Sequence, residues 1–336
     1  MRLERKILVL GETFQGKIET ASFEMLRVAQ DLNQKIGGEV LFLLGTTQLN
    51  TEELERAIHY GADRVYCVVH EVFGMLLPHL SAKVFLPPIK DLKPEIILGA
   101  ATSWGRTILP YLAAKLHTGL TADCTSLDID SEDGKLVQVR PAIGGNILAT
   151  IKTRTLPQMA SVRPNLFPPR LDTSRRGKIE IIQDINQDTE NEEPEFLESE
   201  IVIHRDQKEL TASKVVVSGG AGIKNKSNLE LLSKLAEKLN AALGASRKLV
   251  ERGLANYPQQ VGLSGKTVNP TLYLAVGISG AIQHLAGMQG SQWIVAINRD
   301  PEAPIFQIAD LGLVGDAREI ITSILEVIDE ETHEPT

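Results

Sequence analysis

The chain is poor in cysteine, with only Cys67 and Cys124 among its 336 residues. Two thiols so far apart in the sequence fit neither a disulfide framework nor the closely spaced pairs of a structural zinc site. We therefore expect them to be buried or inactive thiols of a protein from a reducing compartment.

Long apolar runs and basic runs are also missing. No stretch approaches the ~20 apolar residues that a membrane span needs, so membrane insertion is not expected. The net charge of −8 argues against binding of nucleic acid, since no long basic run offsets it. The strand pattern that begins at Lys6 leaves no room for a signal or transit peptide, and we expect a cytoplasmic location.

The chain is long enough for two domains, and 43% of its residues are hydrophobic, which is sufficient for two buried cores. Its first half alternates strand-like and helix-like segments, and this alternation predicts a parallel sheet covered by helices. Asn50, followed three residues later by Glu53, resembles a capping box. The segments are 6–12, 20–38, 39–46, 50–62, 63–69, 93–100 and 103–120.

From about residue 121 the pattern changes to successive extended segments at 121–130, 134–153 and 158–164. They predict an extended, antiparallel addition to the first domain. The stretch after Pro164 is rich in proline, arginine and acidic residues, and a second α/β block begins near Lys214. We predict an N-terminal α/β domain over 1–200, a doubly wound C-terminal domain over 205–325, and an acidic tail over 326–336.

A glycine-rich turn follows the first strand of the second block. Gly219, Gly220 and Gly222 fit either a phosphate-binding turn before a helix or an ordinary strand–helix connection. An NAD site would place an acidic residue ~20 positions further on, where this chain has Ser246 and Arg247. The lack of an acidic residue at this position disfavours an ordinary NAD fingerprint, and Arg247 places a permanent cation beside the predicted crevice.

The segment from Gly277 to Ala281 is a near match to the G-x-S-x-G elbow of α/β-hydrolases. That fold needs an acid and then a histidine downstream of the serine. His284 is too close in sequence to Ser279, and the only later histidine, His333, lies in the acidic tail. Hydrolysis is therefore disfavoured.

Polar residues gather at the predicted strand ends of the second block. In a doubly wound sheet these ends face the ligand crevice, which predicts a ligand site rather than a purely structural domain. For His284 a structural alternative stays open, in which a backbone carbonyl satisfies a histidine at the border of an apolar helix stripe. The residues are Arg247, Ser264, Ser279, Gln283, His284, Asn298 and Asp316.

These segments resemble the large (alpha) subunit of electron-transfer flavoproteins. Across about 244–316 the similar segments are "GASR", "QVGLSGK", "PTLYLAVGISGAIQHLAGM" and "IVAINRDPEAPIFQIADLGLVGD". In the first half they are "ATSWGRTILPYLAAKLHTGLTADCT" and "RPAIGGNILATI". The resemblance implies one FAD in the C-terminal domain.

The resemblance also implies roles for individual residues. Arg247 would lie beside the isoalloxazine ring, Ser264 would reach the flavin N5, and His284 would lie near the C2 carbonyl, so these three would tune the flavin. Asn298 and Asp316 would hold the adenosine side. The whole implied cofactor set is Ser246 at the diphosphate, Arg247, Gln260, Val261, Gly262, Leu263, Ser264, Gly277, Ser279, Gly280, Ala281, Ile282, Gln283, His284, Asn298, Asp316 and Ala317.

Reduction of a flavin adds negative charge around N1 and the C2 carbonyl, so a nearby cation or donor favours the reduced form. His284 could supply either a hydrogen bond or a charge. Two positions depart from the family pattern. Ala221 stands where many relatives carry arginine, and Leu263 stands where some carry glutamine.

The function implied is electron transfer without bond-making chemistry. The chain would pair with a smaller beta subunit that holds AMP or a second FAD. It would pass electrons from a dehydrogenase flavin, such as that of acyl-CoA dehydrogenase, to a quinone reductase or ferredoxin. One alternative is the alpha subunit of an electron-bifurcating, NADH-oxidising flavoprotein, and a further one is a non-redox nucleotide-binding regulatory module.

Overall fold

The computed structural model describes residues 5–74, 77–142, 147–183, 209–211 and 213–331. The chain divides into two compact units, Met1–Ser199 and Glu200–Thr336. Within the described ranges no helix is long and apolar enough to cross a membrane.

The first unit is an α/β structure. Its described helices are α1 (Thr20–Ile36), α2 (Thr51–His59), α3 (Pro78–Leu92) and α4 (Gly105–Lys115). Its described strands are β1 (Lys6–Leu10), β2 (Thr13–Phe14), β3 (Lys17–Ile18), β4 (Glu39–Thr46), β5 (Arg64–Val69), β6 (Ile96–Ala100), β7 (Leu120–Cys124), β8 (Ser126–Ile129), β9 (Leu136–Pro141), β10 (Leu148–Lys152), β11 (Gln158–Val162) and β12 (Lys178–Ile182).

Seven of these strands form a parallel sheet in the order β12-β5-β4-β1-β6-β11-β7. The central strands read as continuous apolar runs because both faces of the sheet are covered. On one face Val9 and Phe42 join the core with α1, and on the other Leu8 and Leu41 pack with α3 and α4. Strands β8, β9 and β10 form a separate antiparallel sheet, as predicted for the extended addition.

Three details differ from the sequence prediction. Strands β7 and β11 were expected in the antiparallel addition, but both lie in the parallel sheet, where β11 is placed between β6 and β7. Strand β12 extends the other edge of that sheet, from the stretch after Pro164 in which no strand was predicted. Helix α3 was not predicted, because it contains Pro87 and Pro88.

The predicted capping box at the start of α2 is only half formed. The Asn50 side chain accepts the Glu53 N–H, as expected for an N-cap residue. The Glu53 carboxylate does not return to Asn50 but accepts the Ile18 N–H at 2.9 Å, which ties α2 to strand β3.

Both cysteines are free and buried, as expected. Burial raises the pKa of the Cys67 thiol to about 11 and that of Cys124 to about 12. Neither thiol therefore supplies a reactive thiolate near neutral pH.

The second unit contains a five-stranded parallel sheet. Its strands are β13 (Val215–Gly219), β14 (Ala242–Ala245), β15 (Leu272–Val276), β16 (Trp293–Asn298) and β17 (Leu311–Val314), and its described helices are α5 (Lys226–Lys238), α6 (Arg247–Glu251), α7 (Ile282–Leu285) and α8 (Ala317–Glu331). The order β14-β13-β15-β16-β17 reverses direction between β13 and β15. Ligands of doubly wound sheets bind at such a switch point, beyond the carboxyl ends of the strands. The predicted α/β class and the doubly wound second sheet are confirmed.

The glycine-rich turn after β13 packs against the turn after β15. The Gly220 N–H donates to the Val276 carbonyl at 2.8 Å, and the Gly222 N–H donates to the Gly277 carbonyl at 2.9 Å. A Cβ on Gly220 would lie 2.3 Å from the Gly277 oxygen. These glycines therefore allow two backbone turns to approach closely. The N–H groups of Gly220 and Gly222 are engaged, and α5 begins only at Lys226, so the turn fits the second of the two alternatives, an ordinary strand–helix connection.

Candidate functional site

A cavity of about 440 Å³ lies at the switch point of the second sheet. It is enclosed by the β13 turn, the start of α6, the loop after β14 and α6, and the turn from β15 into α7. The residues that line it are Ala221, Ser246, Arg247, Lys248, Glu251, Val261, Gly262, Leu263, Ser264, Ile278, Ser279, Ala281, Gln283 and His284.

Ten of the predicted cofactor residues line this one cavity. They come from three separate chain segments, and they are Ser246, Arg247, Val261, Gly262, Leu263, Ser264, Ser279, Ala281, Gln283 and His284. The other predicted residues lie outside its lining, and they are Gln260, Gly277, Gly280, Ile282, Asn298, Asp316 and Ala317.

Arg247 is the first residue of the short helix α6 and is highly exposed. Its Nε donates to the Glu251 carboxylate at 2.8 Å, one helical turn further on. Glu251 and Lys248 also line the cavity, although the sequence prediction missed both. The Arg247–Glu251 spacing of four residues was the available signal. The formal charge of these three side chains is +1, so Arg247 is not the isolated cation that the sequence suggested.

Ser246 precedes α6 with extended backbone angles, but its side chain makes no cap hydrogen bond. Its Oγ is buried, and no described residue is its hydrogen-bond partner. A buried hydroxyl of this kind costs free energy unless a ligand or water satisfies it.

The loop after α6 is held by its own side chains. The Gln260 amide donates to the Ser264 Oγ at 3.0 Å, and the Tyr257 hydroxyl donates to the Ser264 carbonyl at 2.9 Å. Gln260 is buried behind the wall, so it orients Ser264 rather than lining the cavity. The Leu263 N–H donates to the Gln283 carbonyl at 2.8 Å, which joins this loop to α7.

The turn between β15 and α7 is tight, and α7 is only four residues long. The predicted apolar stripe is broken here: Ile278 and Met288 are buried, whereas Ile282 is exposed and lies outside the cavity lining. A Cβ on Gly280 would lie 2.3 Å from the Ile305 backbone nitrogen, so this turn needs glycine.

His284 is buried to 7% exposure, and its Nε2 lies 3.0 Å from the Tyr273 hydroxyl. Its Nδ1 is buried and has no hydrogen-bond partner within the part of the chain that the structure describes. Burial lowers the pKa of His284 to about 4, while the Val261 carbonyl acts in the opposite direction without reaching hydrogen-bond geometry. His284 is therefore neutral near pH 7 and can supply a hydrogen bond but not a charge.

The engagement of Nε2 by Tyr273 also bears on the hydrolase alternative. A serine nucleophile needs a histidine that accepts its proton. Ser279 lines the same cavity, but no hydrogen bond joins it to His284 among the described residues. The G-x-S-x-G match is thus not a nucleophile elbow with a histidine base at His284.

The residues predicted for the adenosine side are engaged in local contacts at the ends of β16 and β17. The Asn298 amide donates to the Ile278 carbonyl at 2.9 Å. The Asp316 carboxylate accepts the Arg318 N–H at 2.9 Å and pairs with Arg299 at 3.2 Å. They share the carboxyl edge of the sheet with the cavity but do not line it.

At Ala221, one of the two positions that depart from the family pattern, another segment of the chain supplies a guanidinium. Arg252, just after α6, donates from Nη1 to the Ala221 carbonyl at 3.0 Å. At the other departure, Leu263 is exposed and lines the cavity.

Two family descriptions match the chain. "Electron transfer flavoprotein domain" matches residues 7–185, and "Electron transfer flavoprotein FAD-binding domain" matches residues 209–289. The second matched range contains the whole cavity lining.

Curated proteins of similar length also resemble the chain. It is 41% identical over 323 residues to the electron transfer flavoprotein subunit alpha of Clostridium acetobutylicum, covering 95% of each chain. It is 37% identical to Protein FixB of Azotobacter vinelandii, covering 96% of this chain and 90% of that one. It is 39% identical to subunit LctC of the lactate dehydrogenase (NAD(+),ferredoxin) of Acetobacterium woodii, covering 97% of this chain and 78% of that one.

Proposed function

The chain belongs to the family of electron transfer flavoprotein alpha subunits, and from this premise we propose that its second unit binds one FAD. The bound FAD carries electrons between a dehydrogenase flavin and a redox acceptor. The dehydrogenase is proposed to be of the acyl-CoA type, and the acceptor a quinone reductase or ferredoxin.

The cavity at the switch point is the observation that carries this proposal. Its volume falls within the range of small-molecule sites, and it gathers the three predicted tuning residues, Arg247, Ser264 and His284. Two buried polar atoms in its lining, the Ser246 Oγ and the His284 Nδ1, have no hydrogen-bond partner in the described ranges. Unsatisfied atoms of this kind suit a ligand that brings both donors and acceptors, as a flavin does.

When bound, FAD supplies a ring system that accepts and releases electrons. The chain's own residues hold and tune this ring. Arg247 places a cation at the cavity mouth, partly offset by Glu251. Ser264 presents a hydroxyl oriented by Gln260, and neutral His284 presents an imidazole N–H. Charge-assisted or neutral hydrogen bonds to the electron-rich edge favour the reduced ring.

The adenosine half of FAD is proposed to follow the carboxyl edge of the sheet toward Asn298 and Asp316. Both residues are at the ends of the strands that continue from the cavity, and both use their polar groups locally. They would contribute their remaining acceptor sites, since a carboxylate oxygen or amide oxygen can accept more than one hydrogen bond.

We propose a smaller beta subunit as the partner, holding AMP. A second candidate function is electron bifurcation, in which the partner holds a second FAD that NADH reduces. The similarity to LctC, a subunit of an NAD(+)- and ferredoxin-linked lactate dehydrogenase, favours this candidate.

The test is an absorption spectrum and nucleotide count on the chain purified together with its beta subunit. One FAD and one AMP per heterodimer is the expected result, whereas two FAD would favour bifurcation. A colourless complex that takes up no FAD after refolding would overturn both, and would favour a non-redox regulatory module.

A further inference from the structure

His284 ends a chain of buried polar side chains that begins in the core of the second sheet. Tyr273, on β15, is fully buried, and its hydroxyl lies 3.0 Å from the His284 Nε2. Ser218, on the neighbouring strand β13, is also fully buried and acts on the Tyr273 phenol, although its Oγ is within hydrogen-bond geometry of no described residue. The predicted site does not include Tyr273 or Ser218, and neither lines the cavity.

The chemistry of Tyr273 and His284 determines which atoms carry their protons. Burial raises the pKa of the Tyr273 phenol, so Tyr273 keeps its proton at any ordinary pH. A buried phenolic O–H needs an acceptor, and among the described residues the His284 Nε2 lies within hydrogen-bond geometry of the Tyr273 hydroxyl, whereas the nearby Ser218 Oγ does not. A neutral imidazole that accepts at Nε2 carries its proton on Nδ1.

The surroundings of the ring agree with this assignment. The Tyr273 hydroxyl occupies the Nε2 side, so Nδ1 is the nitrogen that remains to carry a proton. That Nδ1 is buried and unpartnered, and His284 belongs to the cavity wall.

We propose that Tyr273 is a positioning residue that holds His284 in the Nδ1–H tautomer and thereby keeps an unsatisfied N–H donor ready for a ligand acceptor. The proposal rests on the proposed function, in that the acceptor is an electron-rich carbonyl of the FAD ring. Its first step, the tautomer itself, is a property of the protein without ligand. Tyr273, in the core of the sheet, thus affects through His284 the hydrogen bonding that the site offers to a ligand.

The experiment begins with the ligand-free full chain labelled with ¹⁵N-histidine. Long-range ¹H–¹⁵N correlation spectra distinguish the two neutral tautomers, and His284→Gln identifies the His284 signals by their loss. The expected result is an Nδ1–H tautomer in the unmodified chain, with loss of that preference in Tyr273→Phe. An Nε2–H tautomer in the unmodified chain would overturn the proposal without any variant.

The second readout uses the same chain with its beta subunit. Tyr273→Phe should retain FAD but lower the first reduction potential of the flavin. Without the tyrosine hydroxyl the imidazole proton can move from Nδ1 to Nε2, and the Nδ1–H donor to the flavin carbonyl is then lost. The matched control is Tyr66→Phe, which removes the hydroxyl of a buried tyrosine in the other unit and should change neither readout. An unchanged tautomer in a folded Tyr273→Phe chain contradicts the proposal. Failure of the unmodified complex to bind FAD contradicts the proposed function alone, since the tautomer is measured without FAD.

Discussion

The two units carry the same kind of crevice with opposite lining charges. Each has a parallel sheet with a cavity at the carboxyl ends of its central strands, about 350 Å³ in the first unit and about 440 Å³ in the second. The first cavity is lined by the carboxylates of Glu12 and Glu19 and, within the described residues, by no lysine or arginine. The second is lined by Arg247, Lys248 and a single carboxylate, Glu251.

Glu12 shows how strongly the first crevice disfavours an anion. Burial raises the pKa of its carboxyl, the hydroxyl of Thr102 opposes this by donating at 2.6 Å, and the nearby charge of Glu19 raises it further. A diphosphate placed there would meet carboxylates instead of donors. The shared sheet architecture therefore does not decide which unit takes an anionic dinucleotide, whereas the lining side chains do.

The comparison is tested most severely by damaging the second crevice alone. Gly280 has φ 87°, and a Cβ there would lie 2.3 Å from the Ile305 nitrogen, which is backbone and cannot move aside. We expect Gly280→Ala to destabilise the second unit by about 3 kcal/mol or more and to abolish FAD binding. Hydrogen exchange measured by mass spectrometry should show the loss of protection confined to residues of the second unit.

Gly253→Ala is the matched control for this substitution. Gly253 also has a positive φ, of 68°, but a Cβ there would meet no atom within 4 Å. It should cost only about 1 kcal/mol, from the backbone conformation alone. Equal effects of the two alanines would show that steric contact at Gly280 is not what shapes the turn.

The stability contributions of one buried group in each unit should depend on pH in opposite directions. In the first unit burial raises the pKa of Glu24 to about 7, and the folded state then holds a proton that the unfolded state has lost. Stability falls as pH rises from about 4.5 to 7. In the second unit the pKa of His284 is lowered to about 4, so the unfolded state binds the extra proton and stability is lost as pH falls from about 6.5 to 4.

Each of these contributions is at most about 3 kcal/mol, and denaturant unfolding of single variants measures them. Relative to the unmodified chain, Glu24→Gln should become more stable as the pH rises from 5 to 7. His284→Gln should become relatively more stable as the pH is lowered over the same interval. If both variants track the unmodified chain at every pH, neither buried group titrates as described.

Much of the fold follows from sequence periodicity, and the exceptions have physical causes. Helix α3 contains two prolines that disfavour a helix locally, but Leu80, Val84 and Ile89 on it are buried. Burial of that apolar face outweighs local propensity. Strand β11 is buried on both faces although it includes Gln158 and Ser161, and a strand of five residues does not reveal which strands it will pair with.

The site shows the same limit. The rule that ligand residues follow strand ends selected Arg247, Ser264 and His284, and all three line one cavity. It also selected Asn298 and Asp316, which follow β16 and β17. Strand order, which the sequence does not give, places those two strands farther from the switch point. Tyr273 was not predicted, because it lies among apolar residues inside a strand and that pattern does not mark its hydroxyl as the partner of a site residue.

The smallest expected effect concerns the charge difference itself. If the cation at the second crevice tunes the cofactor, Arg247→Ala should lower the first reduction potential of the bound flavin, and Glu251→Gln should raise it. Both side chains are largely exposed, so each effect should be about 1 kcal/mol or less, which is about 40 mV for one electron. Spectroelectrochemical titration of the complex measures these shifts. Lys238→Ala is the matched control, because it removes a cation of the second unit that is paired with Asp329 outside the cavity and should leave the potential unchanged. Shifts of the same sign for Arg247→Ala and Glu251→Gln would mean that geometry rather than charge links α6 to the flavin, and the electrostatic contrast between the two crevices would then not explain where the cofactor binds.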